Sequence, residues 1–189
     1  MNKNDIKKEI VRTAKRLKKM GFMPGSSGNI SFRYNDIIYI TPTGINKENL
    51  KIEDISEINM DGRILNSITP SSEYLLHLEV YKKRADISSI THTHPPYTIA
   101  FSVSNIKPNF NLTAEFKFLV KKISFCKFKQ PASLELAKEV SKNSLRSDVL
   151  VLINHGIVVL SNSFEKSIIL TEEVENFFKI NFLVSLLRC

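Results

Sequence analysis

Apolar residues recur every three to four positions at Ile6, Ile10, Ala14, Leu17 and Met20, with Lys and Arg between them, which predicts an amphipathic helix over 4–20 ending at Gly21. The pattern then changes period. Pro24 to Asn29 is a loop of small residues, 30–34 and 37–41 alternate as two strands about an Asn35-Asp36 turn, and Thr41-Pro42-Thr43-Gly44 is a second small-residue loop. A second hairpin is predicted over 55–65 about Asp61-Gly62. Hydroxyls followed by a carboxylate, Ser71-Ser72-Glu73, open a helix whose buried side is marked by Tyr74, Leu75, Leu78 and Tyr81. Farther on, the pattern gives a strand ending in His92-Thr93-His94, a short helix over 97–103 and a strand over 119–125. Next come a helix over 133–141, strands over 149–153 and 157–160, and a last helix over 164–187. That helix ends in Phe177, Phe178, Ile180, Phe182, Leu183, Val184, Leu186 and Leu187, an apolar excess that suggests burial against another subunit. No linker divides the chain, so one domain over 1–189 is expected.

Two of the four histidines sit at a spacing of two in Ile90-Thr91-His92-Thr93-His94-Pro95. On a strand, residues i and i+2 share a face, so both imidazoles address one space. Such a pair suits a divalent metal such as zinc, which takes nitrogen ligands at about 2.0–2.1 Å, although it can equally be an ordinary polar pair. His155, where an apolar strand breaks at His-Gly, is the obvious third ligand. His77 falls one turn after Glu73 and reads as a packed residue or a support for the ligands. Each small-residue loop, and the Ser71-Ser72 helix start, can serve as plain turn chemistry or can offer backbone N–H groups and hydroxyls to a phosphate. None is a nucleotide-binding glycine motif.

Composition narrows the classes. With 42% hydrophobic and 24% charged residues the chain is globular, and its net charge of +8 admits nucleic acid, an acidic membrane surface or an anionic small substrate. The basic residues cluster at Lys7-Lys8, Arg12, Lys15-Arg16, Lys18-Lys19 and Lys82-Lys83-Arg84 in helical patterns without interleaved aromatics, so nucleic acid is not expected as a partner. Cys126 and Cys189 belong to no metal or disulfide motif, the start of the chain is charged, and no run reaches the length of a membrane span. A cytoplasmic protein without membrane association is expected.

The ordered set Gly28-Asn29, Thr43-Gly44, Ser71-Ser72-Glu73, His92/His94 and His155 resembles the class II aldolase and adducin head family over Gly21 to about Asn181. The likeness is strongest to its aldolases for L-fuculose 1-phosphate-like substrates, including short archaeal forms. The resemblance implies a three-layer α/β/α fold with a mixed, mostly antiparallel sheet, and a homotetramer with active sites between subunits. It further implies one Zn2+ per subunit on His92, His94 and His155, with Glu73 at the metal in the empty site and acting as acid/base once substrate displaces it. Gly28, Asn29, Thr43, Gly44, Ser71 and Ser72 would hold a sugar phosphate by its phosphate. The implied reaction is reversible cleavage of a ketose 1-phosphate to dihydroxyacetone phosphate and an aldehyde such as lactaldehyde. A pentulose-phosphate 4-epimerase, a methylthioribulose-1-phosphate dehydratase and a non-catalytic adducin-like interaction module are the alternatives within the family. The chain departs from the pattern where bacterial members carry tyrosines that protonate the leaving aldehyde. Thr113 and Glu115 stand in that middle region, and the sequence runs to Cys189 without a tyrosine-bearing tail. The proton donor is therefore unassigned, with Glu115 of a neighbouring subunit as the candidate.

Overall fold

A single seven-stranded sheet, with strand order β3-β2-β1-β4-β7-β6-β5, organises the molecule. The computed structural model describes residues 2–104 and 106–187; Cys189 lies outside them. The strands are β1 (Asn29–Tyr34), β2 (Ile37–Ile40), β3 (Ser56–Asn59), β4 (Ser89–Thr93), β5 (Ile123–Cys126), β6 (Val149–Leu152) and β7 (Gly156–Ser161). Every neighbouring pair is antiparallel except β5 with β6, so the sheet is mixed and mostly antiparallel, as expected. Helices α2 (Tyr74–Lys83) and α5 (Leu134–Asn143) cover one face, where Ile38, Ile40, Leu150 and Leu160 pack against Leu78, Val80 and Val140. The other face carries α1 (Lys3–Lys19), α3 (Pro96–Val103), α4 (Ala114–Leu119) and α6 (Phe164–Leu186), through Ile6, Ile10, Leu17 and Ile30 in one cluster and Phe101, Val159, Val174 and Phe178 in another. The fold is the expected three-layer α/β/α arrangement. No helix among the described residues is long and apolar enough to cross a membrane.

Local chemistry explains most element boundaries. Asn2 and Asp5 close a reciprocal capping box at the start of α1, and Gly21 follows its end with φ +84°. Ser133 and Ser163 accept from the first turns of α5 and α6. Asn35, in the β1–β2 turn, is left-handed with φ 53°.

Four readings from the pattern are corrected. The run over 119–125 is not one strand: α4 ends at Leu119, Lys121 turns the chain with φ 62°, and β5 starts at Ile123. Helix α4 forms because Phe116 stacks on Phe177, with centroids 3.9 Å apart, a partner that sequence spacing cannot supply. The second hairpin is reduced to β3 and a single bridge between Ile58 and Ile64. Helix α2 buries Leu76, His77, Leu78, Val80 and Tyr81, leaving Tyr74 and Leu75 half-buried, because α5 and the sheet flank it together. Finally, the apolar end of α6 divides: Phe177 and Phe178 enter this chain's own core, while Phe182, Leu183, Leu186 and Leu187 are exposed.

Candidate active site

Antiparallel pairing brings the candidate residues to one end of the sheet. Asn29 at the start of β1 pairs with His92 near the end of β4, and Thr93 pairs with Ile157 at the start of β7. The loops before β1, after β2 and before α2 meet at the same end. There Thr43 N–H donates to the Thr69 carbonyl at 3.4 Å, Ser71 N–H to the Thr41 carbonyl at 3.0 Å, and Pro42 bridges Pro70. Gly28 and Gly44 both take φ +74°, the left-handed region that favours glycine. A side chain on Gly28 would also lie 3.0 Å from the His92 carbonyl oxygen.

His92 is fully buried. Its Nδ1 donates to the Ile157 carbonyl at 2.9 Å, which turns Nε2 toward the other two imidazoles. His94 follows the strand and is held by its backbone N–H on the Phe22 carbonyl at 2.7 Å. The residues after it are fixed by the buried Glu175 carboxylate, which accepts from Tyr97 N–H, Thr98 N–H and the Thr98 hydroxyl at 2.8–2.9 Å. His155 sits in a tight turn between β6 and β7, where its N–H donates to the Leu152 carbonyl at 3.0 Å and Asn154 takes φ 63°. Asn is among the residues that tolerate this conformation.

The His94 and His92 Nε2 atoms are 3.0 Å apart, and those of His92 and His155 are 3.3 Å apart. Ligands at about 2.0–2.1 Å around a tetrahedral ion lie roughly 3.3 Å from one another; two of the three pairs match this, and all three ligand atoms lie within 4.8 Å of one another, a group that could hold a metal ion. Glu73 adds a carboxylate, with Oε2 3.1 Å from His92 Nε2 and Oε1 3.6 Å from His155 Nε2. Among the described residues, Glu73 Oε1 and His155 Nδ1 are buried without hydrogen-bond partners.

The electrostatics express this crowding. Burial would raise the Glu73 carboxyl, but His92 and His155, together with a hydrogen bond from Asn29, hold it well below the usual carboxylate range. Burial would lower His92, yet the charge of Glu73 and its hydrogen bond raise it. His94 and His155 are lowered to about 3 and about 4, first by burial and then by the neighbouring imidazoles. Neutral imidazole is the form a metal takes.

Behind the carboxylate, Asn29 Nδ2 donates to Glu73 Oε2 at 3.1 Å, and Asn29 Oδ1 faces His77 Nε2. An amide oxygen only accepts, so His77 Nε2 carries the proton and Nδ1 accepts from Ser31 Oγ at 2.7 Å. Burial, then the charge of His92, lowers His77 to about 3, and the residue holds this neutral form. His77 thus supports the site as its spacing suggested. The Ser31 contact, between residues 46 apart in the chain, carries no spacing signal.

Gly156 has no room for a side chain: a Cβ there would collide with the Thr93 carbonyl and approach His94 Cδ2 to 2.8 Å. Gly156→Ala is expected to cost about 1–3 kcal/mol and to push His94 from the cluster. Denaturant unfolding and metal content would both fall, and an unchanged pair of values would show that the strand end yields freely. The phosphate candidates differ in exposure. Gly28, Asn29 and Ser71 are buried, while Thr43, Gly44 and Ser72 are exposed along the rim. Glu115 is exposed on α4 and does not join the cluster; its charge, after burial, raises Glu173 on α6.

The fold and the site define the class. Residues 8–182 match the family of class II aldolase and adducin N-terminal domains, and the chain belongs to that family. It is an enzyme of the class II aldolase type. Among its relatives, the L-fuculose phosphate aldolase of Methanocaldococcus jannaschii is 36% identical over 96% of this chain and 98% of that protein. The 3-oxo-tetronate 4-phosphate decarboxylase of Haemophilus influenzae is 32% identical over 93% of this chain and 86% of that one. A solved L-fuculose 1-phosphate aldolase superimposes with a TM-score of 0.87 at 28% identity, covering 97% of this chain and 87% of the other.

Proposed function

We propose that the single domain over 1–189 is a zinc-dependent aldolase that reversibly cleaves a ketose 1-phosphate, L-fuculose 1-phosphate or a close analogue, into dihydroxyacetone phosphate and an aldehyde such as lactaldehyde. The observation that carries this reading is the convergence of His92, His94 and His155 on one point beside a carboxylate with a free oxygen. His92, His94 and His155 would hold the ion, with Glu73 beside them as a fourth ligand before substrate enters. When bound, the ion supplies Lewis-acid stabilisation of the negative charge that develops as a carbon-carbon bond next to a carbonyl breaks.

The chain's own residues do the rest. Gly28, Asn29, Thr43, Gly44, Ser71 and Ser72 take the phosphate through backbone N–H groups, hydroxyls and one amide, so that binding energy at this remote end holds the reacting carbons in register. Asn29 fixes Glu73 Oε2, leaving Oε1 to carry the proton at the carbon retained in dihydroxyacetone phosphate. The group serving the aldehyde oxygen comes from elsewhere, with Glu115 of a neighbouring subunit as the candidate. The exposed Phe118, Phe182, Leu183 and Leu187 are the surfaces we assign to subunit contacts in a homotetramer. The protein is read as cytoplasmic, in keeping with a phosphorylated substrate and a buried Cys126 that forms no disulfide among the described residues.

The test is elemental analysis together with dihydroxyacetone phosphate release from L-fuculose 1-phosphate. About one zinc per chain with cleavage is expected. Bound zinc with the ketose phosphate unchanged would move the assignment to the epimerase or dehydratase, and carbon dioxide release from a 3-oxo-tetronate 4-phosphate would favour the chemistry of the Haemophilus relative. A protein that neither holds nor responds to metal would be an adducin-like interaction module.

A further inference from the structure

Lys47 is a lysine with 1% of its surface exposed, lying in the loop that follows Gly44. Its Nζ donates to the Ser26 carbonyl at 2.8 Å and to the Ile45 carbonyl at 3.1 Å. It thereby joins the loop before β1 to the loop after β2, the two loops that carry Gly28-Asn29 and Thr43-Gly44. An ammonium has three donors, and the third has no protein partner among the described residues. No carboxylate pairs with it there either. A second cation, Lys18 of α1, reaches the loop before β1, where its Nζ donates to the Gly25 carbonyl at 3.1 Å.

A buried ammonium without a counter-charge is costly, and proteins keep one where something else supplies the negative charge. Burial, then the charge of Lys18, lowers Lys47 to about 8, and the charge of Lys47 is the smallest of the influences on His94. The six candidate phosphate contacts, Gly28, Asn29, Thr43, Gly44, Ser71 and Ser72, are all neutral. The uncompensated cation and the neutral cradle complete each other.

We propose that Lys47 is the fixed positive charge of the phosphate pocket, holding its two loops together and selecting a phosphorylated ketose over the free sugar. The inference rests on the reading of those six residues as phosphate contacts. Lys47 acts here as a positioning and specificity-determining residue, through its field and its remaining N–H.

The experiment begins without turnover. Melting of the metal-loaded protein is followed against inorganic phosphate, with chloride at matched ionic strength to remove screening. The wild type is expected to gain stability saturably. Lys47→Met, which keeps the apolar stem, and Lys47→Gln, which keeps one donor without the charge, are expected to lose that gain. Without phosphate both are expected to melt somewhat below the wild type, Lys47→Met more than Lys47→Gln, because the Ser26 and Ile45 carbonyls lose their donor; the deciding readout is therefore the phosphate-dependent gain in each protein. In kinetics, KM for the ketose 1-phosphate should rise about 10- to 100-fold, the range for losing a hydrogen bond to a charged group, with kcat changed far less. The preference for the phosphorylated over the free ketose should fall by the same factor.

A phosphate response kept in Lys47→Gln would overturn the proposal and leave Lys47 as a clasp. So would a Lys47→Met protein that melts lower yet keeps the response. A wild type that ignores phosphate would overturn it together with the phosphate pocket. Cleavage of the ketose phosphate is scored separately, so failure of the aldolase reading does not alter the phosphate arm.

Discussion

Glu73→Gln is expected to leave zinc bound and the fold intact while lowering dihydroxyacetone phosphate release by about 10²- to 10⁴-fold, the range for removing a positioned general acid/base. Glutamine is nearly isosteric with glutamate, and its carbonyl can still accept the Asn29 amide that now donates to Glu73 Oε2 at 3.1 Å. The three imidazoles do not depend on the carboxylate for their orientation: His92 is set by the Ile157 carbonyl, His94 by the Phe22 carbonyl through its backbone, and His155 by its turn. What the substitution takes away is an oxygen that can accept and return a proton. Glu73 Oε1, buried without a hydrogen-bond partner among the described residues, is the oxygen available for that task once substrate has displaced the carboxylate. The loss should appear in kcat, with KM nearly unchanged, because the phosphate contacts stay in place. Elemental analysis and steady-state kinetics on the same preparation decide it. A variant that turns over within a few-fold of the wild type would make Glu73 a ligand only and return the proton to another group.

How much of this was legible beforehand follows from the range of each signal. The metal cluster was readable because both of its signals are local. A spacing of two on a β-branched strand sends His92 and His94 to one side, and a His-Gly break places His155 at a strand end. That β4 and β7 are neighbours, with Thr93 opposite Ile157, is what makes the three meet, and only the sheet order shows it. His77 was readable as a support from its distance to Glu73, but its tautomer depends on which end of the Asn29 amide faces it. Gly156 looked like a turn residue. Its constraint comes from the Thr93 backbone on the next strand, a contact with no trace in local sequence. Lys47 stands in the polar stretch Asn46-Lys47-Glu48-Asn49, where nothing in the local pattern marks a buried cation. The strand expected over 119–125 begins only at Ile123, as β5, for a similar reason. The stacking of Phe116 on Phe177 draws the chain into α4 as far as Leu119, and the left-handed Lys121 turns it before β5 begins.

His155→Ala separates metal binding from folding more cleanly than any change at His92. Replacing the fully buried His92 would open a cavity at the end of the middle strand of the sheet and withdraw the donor to the Ile157 carbonyl, on the order of 2–4 kcal/mol lost before any metal is considered. His155 hangs from a turn whose hydrogen bond, from its own N–H to the Leu152 carbonyl, survives truncation. Its Nδ1 has no partner, and its remaining polar neighbours are the cluster itself. Compared under chelation, wild type and His155→Ala should therefore unfold within about 1 kcal/mol of each other. Adding zinc should then stabilise the wild type by mass action and leave the variant nearly unmoved. Loss of a direct ligand should weaken metal binding by more than the roughly 10- to 100-fold that loss of an outer partner costs. Turnover should fall with the bound metal and return partly when zinc is supplied in excess. A variant that binds zinc at wild-type affinity would break the three-imidazole assignment and leave the ion to His92, His94 and Glu73.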